Sequence, residues 1–337
     1  MPSVKRQDFC ALLLLVGLAA QGCGGSAESG KHGNQGSAGS GGAAGNTTAQ
    51  PPKPEPPEQA FLIPGGTFPM GRGAADDYDF SEEPVPLAPS EPEHLATVGP
   101  FYLDEHEVTV ARFRAFIAGF DGKVLVAGAG AHPRIPDSGW DPTWVAGQSF
   151  SAPEVLSDLQ SSGYTTWTDE PGVNEQLPIA RISWLTAFQF CVWDGGRLPT
   201  EAEWEFAAAG GEENRLFPWG AQAATSELAN FGSLVGHHLA VGSLAGVARW
   251  GQTDMAGGVS EWVLDAYDSD EAEAWYSKPC NECANVAGPK QIVRVEKGGG
   301  FFTHRGTIRA AARGILSRES WDIDLGVRCA RDAPRSP

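Results

Sequence analysis

The chain is short of positive charge, of long apolar runs and of spare thiols. Twenty-four Lys and Arg stand against forty-two Asp and Glu, for a net charge of −18. That balance excludes nucleic acid and anionic membrane surfaces as partners, because like charge repels. It suits calcium or cationic ligands. No apolar run is long enough to cross a bilayer; Phe9–Ala20 is about a dozen residues, short of the roughly twenty a spanning helix needs. No repeat of 20–50 residues is visible, and only six cysteines occur.

The short run has another reading. Lys5 and Arg6 precede it, and Ala20-Gln21-Gly22-Cys23 closes it. Small residues before a cysteine suit a bacterial lipoprotein signal over residues 1–22, with Cys23 as the lipidated N-terminus. A plain secretory signal cut nearby is the alternative. Residues 23–58 are rich in Gly and Ser, then Pro, and read as a flexible tether followed by a stiffer spacer. The expected address is the bacterial cell envelope, at the outer membrane or facing the periplasm, with the lipid as the only membrane contact. Residues 59–335 read as one folded domain, expected to be a monomer.

Within that domain the signals are short. Phe61–Ile63, Thr67–Met70 and Phe101–Asp104 read as strands. Thr109 caps a helix whose apolar face is Phe113, Phe116, Ile117 and Phe120. A short helix is expected near Pro153–Leu159. Ser183 opens another helix, with Ala187, Phe188, Cys191 and Val192 inward. Thr200-Glu201-Ala202-Glu203 is a capping box before a further helix that Gly210-Gly211 ends. Eleven Trp and forty-three Gly suggest a loop-rich core held by large aromatics. The class is α+β, with few helices, short strands and long loops.

Several ordered blocks resemble one family, the formylglycine-generating enzymes or sulfatase-modifying factors. Gly66–Gly71 is similar to its G-x-F-x-M-G. Phe101–Asp104 with Glu107-Val108-Thr109 is similar to F-Y-x-D-x-x-E-V-T. Leu177–Cys191 follows its P-V-x-x-V-S-W-x-x-A-x-x-Y-C. Arg197–Glu205 matches R-L-P-T-E-A-E-W-E without a mismatch, and Phe217-Pro218-Trp219-Gly220 follows. Asp254–Trp262 resembles D-M-x-G-N-V-W-E-W, and Leu325–Ala330 resembles L-G-F-R-C-A. The resemblance implies that family's variant of the C-type-lectin fold. Fold alone does not fix chemistry.

The same resemblance exposes a gap. The family's catalytic strand runs R-V-x-R-G-G-S-x-x-C-H, then a second cysteine, then R-x-A-x-R. Here Gly300 stands for the Ser, Thr303 stands for the first cysteine, and no cysteine lies between Thr303 and Arg313. The family oxidises cysteine with copper held by two thiolates. Soft thiolates select Cu(I) and a hydroxyl does not replace them, so copper is not expected and the pocket reads as vestigial or repurposed. His304 is kept; it orients a ligand or is a satisfied semi-buried histidine.

Four cysteines remain in the domain. By resemblance Cys191 and Cys329 form a disulfide, the alternative being two buried thiols. Cys280-Asn281-Glu282-Cys283 has three readings: a local disulfide, favoured in an exported chain; a zinc half-site without its other half; or a redox pair whose pKa Glu282 would raise. Asp254–Glu261 resembles the family's calcium loop, which implies Asp254, the carbonyls of Gly257 and Val259, and Glu261 as ligands. Hard oxygen donors in a Gly-containing loop suit structural Ca²⁺; the alternative is a turn with two solvated acids, which no Lys or Arg of the segment separates. A second calcium loop would begin at Asn230-Phe231, but the acid expected within Val235–Leu239 is missing. His237-His238 could bind a transition metal, but adjacent histidines on a loop read first as solvated. The leading functional reading is a non-catalytic binding or scaffolding protein for an extracytoplasmic protein or glycan. Two others stand behind it: an oxidoreductase using His304 with Cys280 and Cys283, and an envelope accessory factor acting on a partner's cysteine.

Overall fold

The helices begin where their caps were read. In the computed structural model, Thr109 accepts the amide of Arg112 at the start of α1 (Val110–Gly119) and Ser183 accepts that of Thr186 at α3 (Trp184–Trp193). The full capping box of Thr200 and Glu203 opens α4 (Glu201–Ala209), and Gly210 closes it in the left-handed region at φ 69°. The helix expected near Pro153–Leu159 is α2 (Ala152–Gln160). The structure describes residues 60–72, 92–120, 122–145, 151–160, 163–267, 278–286 and 292–334. The signal, the tether, Cys23 and Cys10 lie outside the described residues.

Ten short strands make three small sheets among the described residues. β1 (Ala60–Ile63), β4 (Phe101–Asp104) and β10 (Ala330–Asp332) form one, in the order β1-β4-β10. β2 (Gly66–Met70), β3 (His94–Val98) and β6 (Cys280–Asn281) form a second, in the order β2-β3-β6. The third holds β5 (Ser260–Ala266), β7 (Val293–Lys297), β8 (Gly314–Ser317) and β9 (Leu325–Gly326), ordered β8-β7-β5-β9. β5 is buried along its whole length, so it lacks the in-out alternation of a half-exposed strand.

Tryptophan locks the layers. Trp184 Nε1 on α3 donates to the Val263 carbonyl on β5 (2.7 Å), and Trp262 Nε1 on β5 donates back to the Ile182 carbonyl (2.9 Å). Each indole thus buries its ring without leaving its N–H unpaired. Cys191 and Cys329 are bonded, with Cα atoms 5.5 Å apart, tying α3 to the last strands. Cys280 and Cys283 are bonded too, the local disulfide of the favoured reading, which leaves no free thiol there to ligate zinc.

Candidate functional site

β7 runs to Lys297 and then turns through Gly298, Gly299 and Gly300. Gly298 and Gly299 sit at φ 85° and 65°, where a side chain is strained. The turn is strapped from two sides by backbone bonds. Gly232 and Ser233 donate to the carbonyls of Thr303 and Phe301, and Phe301 donates to Gly258. It forms the floor of an open cleft of about 460 Å³ lined by Phe302, Thr303, His304, Thr307, Asp322, Ile323 and Asp324.

Thr303 does not present its hydroxyl as a free ligand: Oγ1 donates to the Gly300 carbonyl (2.8 Å). Ile308 is fully buried nearby. His304 is exposed rather than semi-buried, because it stands at the N-terminal edge of the short 3-10 turn Arg305–Ile308, at the rim of the cleft. Gly300 has a positive role. A Cβ there would collide with the Asp324 carboxylate, which accepts the Phe302 amide (3.2 Å). Replacing Ser by Gly therefore lets a carboxylate into the floor. Burial and the neighbouring Asp322 push Asp324 up to about 6, and burial with Asp324 and Asp322 pushes Glu296, just behind, up to about 8. Tyr164 stands edge-on to Phe302 at 5.2 Å. The cleft combines carboxylates with aromatic rings. The Cys280–Cys283 pair lies on the β2-β3-β6 sheet and lines none of it.

His237 and His238 part company. His237 is at the surface, with Nδ1 near the Val235 carbonyl. His238, read as solvated, is buried against Phe301 with ring centroids 4.6 Å apart, because the loop that straps the turn carries it inward. Burial lowers it to about 4, so it is neutral at pH 7.

The calcium residues are also redistributed. Glu261 is fully used by protein donors: Arg328 grips it as a fork at 2.7 Å on both oxygens, and Trp204 Nε1 adds a third bond at 2.7 Å. The cation that keeps Asp254 and Glu261 apart is thus a guanidinium from the far end of the chain, absent from the segment itself. Gly257 and Val259 lie on the loop beside it, and Gly257 pairs with Asn230 at an approach that a Cβ would block. Phe231 is buried among Leu216, Phe217 and Ile308.

Behind that loop lies a cavity of about 10 Å³ lined in part by Glu107, Asn230, Asp254 and Gly258. Glu107 Oε2 and Asn230 Oδ1 are buried there without a hydrogen-bond partner. Burial, Asp254 and Glu261 raise Glu107 well above the usual carboxylate range. The volume suits one water or ion. The oxygens of Glu107, Asp254 and Asn230 are the hard donors that would suit a cation such as Ca²⁺ here. Among the described residues no three His, Cys, Asp or Glu converge as a metal cluster, so backbone and amide oxygens would complete the shell. Glu107 escaped sequence reading because it is 147 positions from Asp254; only its place in the F-Y-x-D-x-x-E-V-T block marked it.

The exact R-L-P-T-E-A-E-W-E block also gains a reason. Glu201, Glu203 and Glu205 are all buried. Glu203 meets Arg197 (2.7 Å), Glu201 meets Arg313 (2.6 Å), and Glu205 meets Lys297 (2.9 Å).

Fold and site together define a formylglycine-generating-enzyme-like domain whose reactive turn carries no thiol. The sequence profile of the sulfatase-modifying factor enzyme 1-like domain matches residues 46–333, and the chain belongs to that family. It is 28% identical over 314 residues to the formylglycine-generating enzyme of Bos taurus, covering 83% of this chain and 76% of that one. It is equally 28% identical, over 298 residues, to the inactive C-alpha-formylglycine-generating enzyme 2 of Mus musculus, covering 81% and 85%. Among solved structures, PvdO from Pseudomonas aeruginosa has the same fold, with a TM-score of 0.57, 21% identity, and 81% and 94% coverage.

Proposed function

We propose that this protein is an exported, lipid-anchored binding protein that presents the Phe302–Asp324 cleft to an extracytoplasmic protein or glycan and carries out no thiol-dependent oxidation. The observation that carries this reading is the turn itself. Thr303 replaces the thiol and turns its hydroxyl onto Gly300, while every cysteine of the described residues is in a disulfide. Comparable identity to an enzyme and to a relative named inactive supports a frame that outlives its chemistry. The Asp322 and Asp324 carboxylates beside Phe302 and Tyr164 suit a ligand with a cationic group on an apolar stem. Calcium between Glu107, Asn230 and Asp254 would stiffen the loop that backs the turn.

The test is direct. Incubation of the mature protein with Cu(I), oxygen and a peptide containing Cys-x-Pro-x-Arg should leave the cysteine unchanged by mass spectrometry. Conversion to formylglycine above a metal-free control would reject the reading. Anchoring is checked by palmitate labelling, which should be present in the wild type and lost in Cys23→Ala.

A further inference from the structure

Arg294 and Arg318 are buried, at 1% and 5% exposure, and neither forms a close pair with a carboxylate. From them we infer a binding site for a small oxyanion, enclosed between β7, the end of β8 and the Trp144 turn, and separate from the cleft. Four of their guanidinium nitrogens, Nε and Nη2 of Arg294 and Nε and Nη1 of Arg318, have no hydrogen-bond partner. What bonds exist go to carbonyls: Arg294 Nη1 to Leu264 (3.0 Å) and Arg318 Nη2 to Trp144 (3.4 Å). The acids facing them do not fill the gap. Asp265 spends its oxygens on the amides of Glu201 and Asn285 (both 2.7 Å). Glu319 stands 3.9 Å from Arg318 Nε, beyond hydrogen-bond distance, with its side chain 46% exposed.

Two like charges buried side by side cost far more than one; Arg294 falls to about 9, first through burial and then through Arg318. Among the described residues no carboxylate stands within hydrogen-bond distance of either guanidinium. The covering is equally specific. The Arg294 guanidinium lies 4.0 Å from the Trp184 ring and 5.2 Å from that of Trp144. Rings cover its faces, where cation–π attraction operates, and leave N–H groups on its edge. Edge donors in a fork are the arrangement that grips carboxylate, phosphate or sulfate oxygens. Exposed Glu319 and Ile292, whose carbonyl takes the Arg318 amide (2.7 Å), mark the side open to solvent.

The experiment is a melting titration of the full mature protein with millimolar sodium sulfate, phosphate or acetate against chloride at matched ionic strength. At a hundredfold excess over Kd, the expected rise in Tm is roughly 5 °C and saturable. A response to sulfate and phosphate alone identifies a tetrahedral oxyanion; a response to acetate identifies a carboxylate. The rise should vanish in Arg318→Gln and persist in the surface control Arg134→Gln. In chloride alone, Arg318→Gln should melt at or above the wild type, because it removes an unpaired buried charge. No saturable response to any of the three anions, an equal response in Arg318→Gln, or a fall of several degrees for that variant in chloride would each overturn the site.

Discussion

Two sets of buried charges in this domain are treated in opposite ways. The three glutamates of α4 and Glu261 beside them each have a cation: Glu201 with Arg313, Glu203 with Arg197, Glu205 with Lys297, and Glu261 with Arg328. On the other side of the same β5–β7 layer, Arg294 and Arg318 have carbonyls and rings instead, and Glu296, Asp322 and Asp324 repel one another beneath the cleft. The desolvation cost is similar in both places; only the first set offsets it with partners. The matched set therefore acts as scaffold. The unmatched sets are where an external ion, proton or ligand has something to gain.

The sharpest way to break this comparison is to unmatch the scaffold. Arg328→Met leaves Glu261 buried with Trp204 as its remaining side-chain partner, and should cost about 3–5 kcal/mol in urea unfolding. Adding Glu261→Gln should recover part of that loss. A cost below about 1 kcal/mol for the single variant would place Glu261 among the unmatched charges. Next in size is the Glu107 cavity. If calcium fills it at a hundredfold excess over Kd, chelator should remove about 2.7 kcal/mol, read as a drop in Tm, and Glu107→Gln should shrink that drop. Identical wild-type melting with and without chelator would leave the cavity to water.

The most gradual effect concerns the acids under the cleft. Glu296 in the fold titrates near 8, above its ordinary value of 4.5. Its neutral form is the one the fold accepts, so its contribution is complete below about 4.5 and is lost as pH rises through about 8. Wild type should lose stability at up to about 1.4 kcal/mol per pH unit between pH 5 and 8 on this account. Glu296→Gln should flatten that loss in melting curves taken across the range. The same slope in both proteins would assign it to other groups.

Much of the frame was legible in the sequence, for a local reason. Caps at Thr109, Ser183 and Thr200 involve residues three positions apart, and the αL stop at Gly210 is a property of one residue. The Cys191–Cys329 bond was legible through family resemblance. The site was harder because its partners are distant. Arg328 reaches Glu261 across 67 positions, and Glu107 meets Asp254 only after the sheets close. The exposure of His304 and the burial of His238 depend on how two loops cross, which no periodicity encodes. Even the exact R-L-P-T-E-A-E-W-E match concealed its buried pairs, since the acids alternate along a helix that is covered on every side.

The strapped turn at Gly298–Thr303 has one more consequence. Its shape is set by main-chain bonds from Gly232, Ser233 and Gly258, with glycines where the path bends. The Thr303 side chain is a passenger on that path, contributing a single bond back to Gly300. Residues can therefore be exchanged at this spot without renegotiating the architecture, and the groove keeps its form whichever side chain stands at 303. The trade also runs backwards: cysteine at 303 should be accommodated without refashioning the domain.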